Sequence, residues 1–211
     1  ESARTPFPLL YQSGYLTIDF YDQQLDSYTL HFPNREVRHG MVYGLTNYLM
    51  DIEDTDRNAT ILAMARSLLK GDLSGALMQL RSYIATIPYD IITKKEWMEK
   101  KGSEAFYKLL MYVIFSLLNS KVETEVKSIL GRADVVIRTQ TDVFVLELKV
   151  DGTVQNALEQ IDSKGYAIPF EASGRKITKC GVTISSDQRN ITHWRTTDAE
   201  GNVVDEKDFT N

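Results

Sequence analysis

Glu147 and Lys149 stand near the end of an apolar stretch, and their types and spacing suit metal-dependent chemistry. Side chains alternate between the two faces of a β-strand, so these two residues share one face. Both faces of the stretch from Val143 to Val150 begin with apolar residues, which predicts a strand buried on both sides. A buried charge has to be paired or to bind a metal. This carboxylate and this ammonium therefore indicate either an ion pair or a metal site.

A second carboxylate, Asp134, is predicted to lie beside Glu147. It belongs to the preceding predicted strand, Ala133 to Ile137, and the segment Thr139 to Asp142 predicts a four-residue hairpin loop. In that register the two carboxylates face each other, with Cβ atoms roughly 5 Å apart. They would repel each other unless a cation lay between them, and oxygen ligands at an open site suit Mg²⁺ or Mn²⁺. The backbone carbonyl of Leu148 is a further candidate ligand.

The second half of the chain predicts elements in an α/β order. A helix from Glu104 to about Leu118 is apolar nearly all round, which indicates a central position. The elements that follow are strands at Val122 to Ile129, Ala133 to Ile137 and Val143 to Val150, a helix at Thr153 to Lys164, and a strand at Ile177 to Ser185. Helix, three strands, helix and strand is the order of an α/β sandwich.

Residues 1–90 predict a separate module that consists of a β-hairpin and helices. Tyr15 to Tyr21 and Ser27 to Phe32 are rich in β-forming residues and flank a loop. Helical patterns follow at Glu36 to Asp51, at Ala59 to Leu69 after a polar turn at residues 54–58, and at Leu73 to Ile84 before Pro88. A charged connector then leads to a second predicted domain at residues 100–211.

Composition narrows the possible functions. The chain has 43% hydrophobic and 25% charged residues, as expected of a globular protein. Its longest apolar run, Leu109 to Leu118, is half of the roughly 20 residues that cross a bilayer, so no membrane segment is predicted. The single cysteine, Cys180, and the lack of a signal peptide predict a cytoplasmic location. The net charge of -5 argues against a broad electrostatic grip on nucleic acid, although a local site remains open.

Several motifs in this sequence resemble one family. Gly131-Arg132-Ala133-Asp134-Val135-Val136, followed by Val145-Leu146-Glu147-Leu148-Lys149, resembles the D…(D/E)-x-K signature of the PD-(D/E)XK nuclease superfamily. Glu159-Gln160-Ile161, with Lys164 and Tyr166, is similar to the Q-I…K-x-Y continuation of one branch, found at the C-terminus of bacterial AAA-ATPase-like proteins. The segments Tyr11 to Ile18 and Phe32 to Val37 are similar to the part that joins ATPase and nuclease in that branch.

This resemblance implies a restriction-endonuclease-like core, a mixed sheet flanked by helices, after the small hairpin-plus-helices module. It implies that Glu104 contributes an acidic group and that Gln160 belongs to the catalytic residues. Lys164 and Tyr166 are implied at the substrate. No G-x-x-x-x-G-K-[ST] loop is present, so this chain by itself is not the ATPase. An N-terminal ATPase domain of a larger parent protein is therefore an expected partner.

Two functions from different classes follow. The first is hydrolysis of nucleic-acid phosphodiester bonds, most simply in DNA, by Asp134, Glu147 and Lys149 with Mg²⁺ or Mn²⁺. The second is a binding or regulatory module that kept the nuclease fold without catalysis, because a fold does not fix a function. The three histidines, His31, His39 and His193, lack metal-ligand spacing.

Overall fold

The structure is a computed structural model that describes residues 7–38, 40, 41, 44, 54–87, 107 and 133–210. Two compact units divide between Thr46 and Asn47. The predicted domain boundary at residues 90–100 lies outside the described residues and stays a prediction. The same holds for the predicted strand Val122 to Ile129 and for the helix Glu104 to Leu118, of which only Tyr107 is described; Tyr107 is helical and 2% exposed.

The first unit contains the predicted hairpin. Helix α1 (Phe7–Gln12) precedes strands β1 (Thr17–Asp22) and β2 (Ser27–His31), which pair antiparallel. The side chain of Asp22 holds the connecting loop, because its Oδ1 accepts hydrogen bonds from the backbone N–H groups of Gln24 and Leu25 at 2.8 and 3.1 Å. Tyr21 and Tyr28 stack across the two strands with ring centroids 4.6 Å apart.

The first described elements of the second unit are two helices. They are α2 (Asp54–Leu69) and α3 (Leu73–Ile84). The predicted polar turn at residues 54–58 was wrong, because these residues form the beginning of α2. Asp, Thr and Asn are favoured at a helix start, and acidic residues there also complement the helix dipole. Asp72 caps α3, since its Oδ1 accepts the N–H of Gly75 at 2.7 Å.

A five-stranded mixed sheet forms the body of this unit. Its strands, in spatial order, are β3 (Val135–Arg138), β4 (Asp142–Val150), β5 (Lys176–Ser185), β6 (Asn190–Thr197) and β7 (Val203–Asp208). The pair β4 and β5 is parallel, and the other three pairs are antiparallel. Helix α4 (Val154–Ser163) and a 3₁₀ helix (Ile168–Ser173) connect β4 to β5. This mixed sheet with flanking helices confirms the predicted fold class.

Helices cover both faces of the sheet. On one face, Val143 and Val145 of β4 pack with Leu158 and Ile161 of α4 and with Phe170. On the other face, α3 lies against β6, where Trp194 Nε1 donates a hydrogen bond to Ser74 Oγ at 3.0 Å. Strands β4 and β5 between these layers are almost entirely buried, which fixes the positions of the polar groups at their ends, whereas the edge strand β7 is mostly exposed. Among the described residues, no helix has the length and apolar character needed to cross a membrane.

Candidate functional site

The β3–β4 hairpin has the register that the sequence predicts. Val135 pairs with Leu146 and Arg138 pairs with Val143. One further step along the same register sets Asp134, directly before β3, opposite Glu147. Asp134 Oδ2 also accepts a hydrogen bond from the backbone N–H of Leu148 at 2.9 Å. This bond fixes the first carboxylate at the point where the β3–β4 ladder ends.

Glu147 is held at the base of the site. The residue is 1% exposed, whereas the side chain of Lys149 is 23% exposed. Lys149 Nζ donates to Glu147 Oε1 at 3.3 Å, so a partly exposed ammonium covers a buried carboxylate. The two share a sheet face, as their spacing in the strand requires. Lys149 is therefore the more exposed member of the pair.

Gln160 joins both members of this pair. Its Nε2 donates to Glu147 Oε1 at 2.5 Å, and its Oε1 accepts from Lys149 Nζ at 2.5 Å. Only this amide orientation satisfies both partners, because an ammonium can only donate and a carboxylate can only accept. Gln160 thereby sets the relative positions of the carboxylate and the ammonium.

A close approach of helix to strand makes this contact possible. Gly181 on β5 is the register partner of Glu147, and α4 lies directly over it. A Cβ atom at this position would lie 2.4 Å from the Val154 carbonyl oxygen and 3.1 Å from Ala157 Cβ. Only glycine therefore allows α4 to lie this low on the sheet, where the Gln160 side chain reaches β4.

Tyr166 reaches the site through the turn that ends α4. Gly165 has φ +64°, its N–H bonds to the Asp162 carbonyl at 3.1 Å, and the N–H of Tyr166 bonds to the Ile161 carbonyl at 3.0 Å. These two bonds define a Schellman motif, which turns the chain back toward the helix. Tyr166 is consequently 5% exposed, and its Oη accepts a hydrogen bond from Gln160 Nε2 at 3.3 Å.

The other predicted site residues lie apart from this network. Lys164 is the C-cap of α4 and is exposed, and among the described residues no hydrogen bond or ion pair connects its side chain to the network. Glu104 lies outside the described residues. Tyr107, three residues later, has its pKa raised to about 12 by burial, with Arg189 and Asp151 also acting on it. Because Asp151 follows β4 directly, Tyr107 lies near the end of the strand that carries the site.

The donor atoms fit a hard divalent cation. Asp134 and Glu147 supply two carboxylates against one ammonium, which leaves one negative charge in excess. The N–H and C=O of a strand residue point to the same side, so the Leu148 carbonyl points to the same edge as its N–H, which Asp134 accepts. Within the described part of the chain, no group of three or more His, Cys, Asp or Glu side chains could hold a metal. The candidate ligands are thus two carboxylates and one carbonyl, an oxygen-only set that suits Mg²⁺ or Mn²⁺.

Arg195 and His193, which the sequence did not indicate as functional, lie on the same sheet face. Arg195 on β6 pairs in register with Gly181, and so lies in the same row as Glu147. Glu206 Oε1 accepts from Arg195 Nη2 at 2.9 Å and contacts His193 Nε2 at 2.7 Å. Hydrogen bonds from Arg195 and from His193 hold the pKa of the Glu206 carboxyl below its usual range.

Comparison with known proteins agrees with this geometry. Residues 102–194 match a family model of the PD-(D/E)XK nuclease superfamily. This segment contains Asp134, Glu147, Lys149, Gln160 and Tyr166. The predicted superfamily resemblance is confirmed for this segment.

One curated relative also matches. An uncharacterized protein in the vnfD 5′ region of Azotobacter chroococcum mcd 1 is 29% identical over 188 residues, which are 87% of this chain and 36% of that protein. The chain therefore spans about a third of the length of the curated relative it matches. No solved structure matches the chain.

Proposed function

We propose that this chain hydrolyses nucleic-acid phosphodiester bonds with a divalent metal, at a site formed by Asp134, Glu147 and Lys149. The observation that carries the proposal is the register of β3 and β4, which sets Asp134 opposite a buried Glu147 under the Lys149 ammonium. A carboxylate buried to this extent needs a counter-charge or a metal. The match of residues 102–194 to a nuclease superfamily supports the reading of this pair as catalytic.

The chain's own groups divide the work in this proposal. Asp134, Glu147 and the Leu148 carbonyl would hold Mg²⁺ or Mn²⁺, which when bound polarises a phosphate oxygen and acidifies a water. Lys149 presents its ammonium beside the carboxylates, where it stabilises negative charge that develops on the phosphate oxygens. Gln160 keeps that ammonium and Glu147 in one fixed arrangement, so neither has to reorganise during the reaction.

The wider setting is also part of the proposal. DNA is the expected substrate, the cytoplasm is the expected location, and a larger protein with an N-terminal AAA-ATPase-like domain is the expected parent. The similarity of the Q-I…K-x-Y segment to that branch supports this setting. The length of the relative from Azotobacter chroococcum mcd 1 leaves room for such a domain in that protein, since only 36% of it is covered.

Cleavage of defined substrates tests the proposal. The chain would be incubated with plasmid DNA, single-stranded DNA and RNA in Mg²⁺, in Mn²⁺ and in EDTA. We expect metal-dependent cleavage by the wild type and its loss in Asp134→Asn, which removes one ligand charge while keeping the side-chain shape. Asp187→Asn is the matched control, because Asp187 is exposed in the β5–β6 turn and is not one of the residues that bond to Glu147, Lys149 or Gln160 in the hydrogen-bond network of the site.

The outcomes separate a nuclease from an inactive module. Mn²⁺ binding, measured by electron paramagnetic resonance, should weaken in Asp134→Asn and stay unchanged in Asp187→Asn. Binding of nucleic acid without cleavage, and without Mn²⁺ binding, would support the regulatory module instead. Full cleavage by Asp134→Asn would refute the assignment of the site.

A further inference from the structure

The row of residues that carries Glu147 continues across the sheet to a second polar region. Glu147 pairs with Gly181 on β5, and Gly181 pairs with Arg195 on β6. Helix α4 lies over Gly181, with Gln160 bonded to Glu147 on one side and Gln155 contacted by Arg195 on the other. The carboxylate site and the Arg195 region therefore flank the same helix on the same face of the sheet.

A cavity of about 360 Å³ occupies the Arg195 side of α4. Its polar lining comes from the start of α4 and from β5, β6 and the C-terminal residues, and includes Thr153, Thr183, Thr192, His193, Arg195 and Thr210. Thr183 is the register partner of Lys149, so the cavity begins on the strand next to the candidate catalytic lysine. The cavity also lies at the carboxyl ends of the parallel strands β4 and β5, where open α/β sheets bind ligands.

Glu206 holds two of the lining side chains, Arg195 and His193, from behind. Glu206 fixes the guanidinium through Nη2 and the imidazole of His193 through Nε2. In the described part of the chain, Arg195 Nε is buried and makes no hydrogen bond, and Nη1 makes only a long contact of 3.4 Å with Gln155. Because the buried Nε cannot reach a ligand, Nη1 is the donor that remains for an acceptor in the cavity.

The acidic residue in the cavity lining, Asp151, already accepts a backbone hydrogen bond. Asp151 Oδ1 accepts the backbone N–H of Ser186 at 2.9 Å, across the end of β4. The first turn of α4 adds backbone N–H donors. One of them, the N–H of Asn156, is already bonded to Thr153 Oγ1. A fixed guanidinium, an imidazole and several hydroxyls together favour a compact ligand with many acceptor oxygens. A phosphate group has this chemistry.

We propose that this cavity binds a phosphate group of the nucleic-acid strand whose scissile bond lies at Asp134 and Glu147. The inference rests on the proposed nuclease function. Glu147 and Arg195 are two strands apart, which is about 10 Å, and each strand of a duplex carries one phosphate per 3.4 Å of axis. Because successive phosphates wind around the axis as well as rise along it, the bound phosphate would belong to a nucleotide about one or two positions from the scissile bond. Such a subsite would give the chain a local electrostatic contact with its substrate, although the net charge of the chain is negative.

The salt dependence of binding tests this subsite. Affinity for fluorescent oligonucleotides would be measured by anisotropy across a range of salt concentrations, with Ca²⁺ in place of Mg²⁺ under conditions where no product forms. Loss of one phosphate contact in Arg195→Gln should lower the log–log salt slope by about 0.7 for single strands or 0.9 for duplexes. Affinity should fall about tenfold, and Arg195→Lys should recover the slope because it restores the charge.

Two controls separate the subsite from general effects. Arg175→Gln removes the same charge at the opposite end of β5 and should leave the slope unchanged. Glu206→Gln removes the carboxylate behind Arg195 and should increase affinity. Oligonucleotides with a 5′-phosphate, a 3′-phosphate or only hydroxyl ends distinguish a terminal phosphate from an internal one: an effect limited to one phosphorylated end supports terminal recognition, and an equal effect supports backbone contact.

Failure of the subsite and failure of the nuclease function give different results. If the wild type binds and cleaves nucleic acid but Arg195→Gln keeps its salt slope and affinity, the subsite alone is overturned. An equal loss in Arg175→Gln and Arg195→Gln would also overturn it, since the effect would then be one of net charge. If the wild type neither binds nor cleaves any substrate, the proposed function fails and the subsite fails with it.

Discussion

Replacing Gly181 with alanine should push α4 away from the sheet and so break the contact between Gln160 and Glu147. The new Cβ would lie 2.4 Å from the Val154 carbonyl oxygen, whereas ordinary contacts begin at 3.4 Å, so the first turn of α4 has to move by about 1 Å. Overpacking of this kind costs about 1–3 kcal/mol of stability. The same shift moves Gln160 away from Glu147, and a misplacement of 1 Å can lower a rate about 100-fold.

Urea denaturation and cleavage of DNA would be measured on the same preparations of Gly181→Ala. Val182→Ala is the matched control, because Val182 is the next residue on β5 but pairs with Trp194 on the face that α3 covers. It should lose about 2 kcal/mol of stability with little change in cleavage per folded molecule. Wild-type cleavage by Gly181→Ala, or equal loss of cleavage in both variants, would refute the claim that α4 positions Gln160.

Three further predictions concern groups around the site. Gln160→Ala should destabilise the protein by about 2–4 kcal/mol and strongly reduce cleavage, because two hydrogen bonds to charged partners are lost; Asn156→Ala on the exposed face of α4 should not reduce cleavage. Tyr166→Phe removes only the hydroxyl next to Gln160 and should cost about 1 kcal/mol, with a smaller loss of cleavage than Gln160→Ala. A larger loss in Tyr166→Phe would show that its hydroxyl acts on the substrate. The hydrogen bond from Arg195 is the main cause of the lowered pKa of Glu206. The stability that this carboxylate contributes should therefore be fully present above the unfolded pKa of about 4.3, and it should be lost as the pH falls through the lower folded pKa. Glu206→Gln should therefore be less stable than the wild type at pH 6 in urea denaturation and lose that difference near pH 3; a difference that persists in acid would contradict the assignment.

The sequence predicted the parts of the site that depend on local rules. Counting residues around the hairpin loop gave the β3–β4 register, because side chains in paired strands have to match in steps of one residue. The helix predicted at Thr153 to Lys164 matches α4, which the structure begins at Val154 and ends at Ser163. Alternation along β4 placed Glu147 and Lys149 on one face.

The remaining parts depend on contacts between distant segments. Strands β6 and β7 were not predicted, and their order in the sheet is what sets Arg195 in the row of Glu147. Periodicity did not place Tyr166, because the Schellman turn at Gly165 reverses the chain after the helix ends. The low position of α4 over Gly181 depends on the packing of helix against sheet, which a single glycine in a strand does not reveal.

The central claim is that Asp134, Glu147 and the Leu148 carbonyl hold a catalytic divalent metal. Anomalous diffraction from crystals of the wild-type chain soaked in Mn²⁺ tests it most directly. We expect one anomalous peak in contact with both carboxylates and the carbonyl, and no such peak in Asp134→Asn crystals. The absence of a peak at this position in the wild type, or an unchanged peak in Asp134→Asn, would contradict the account.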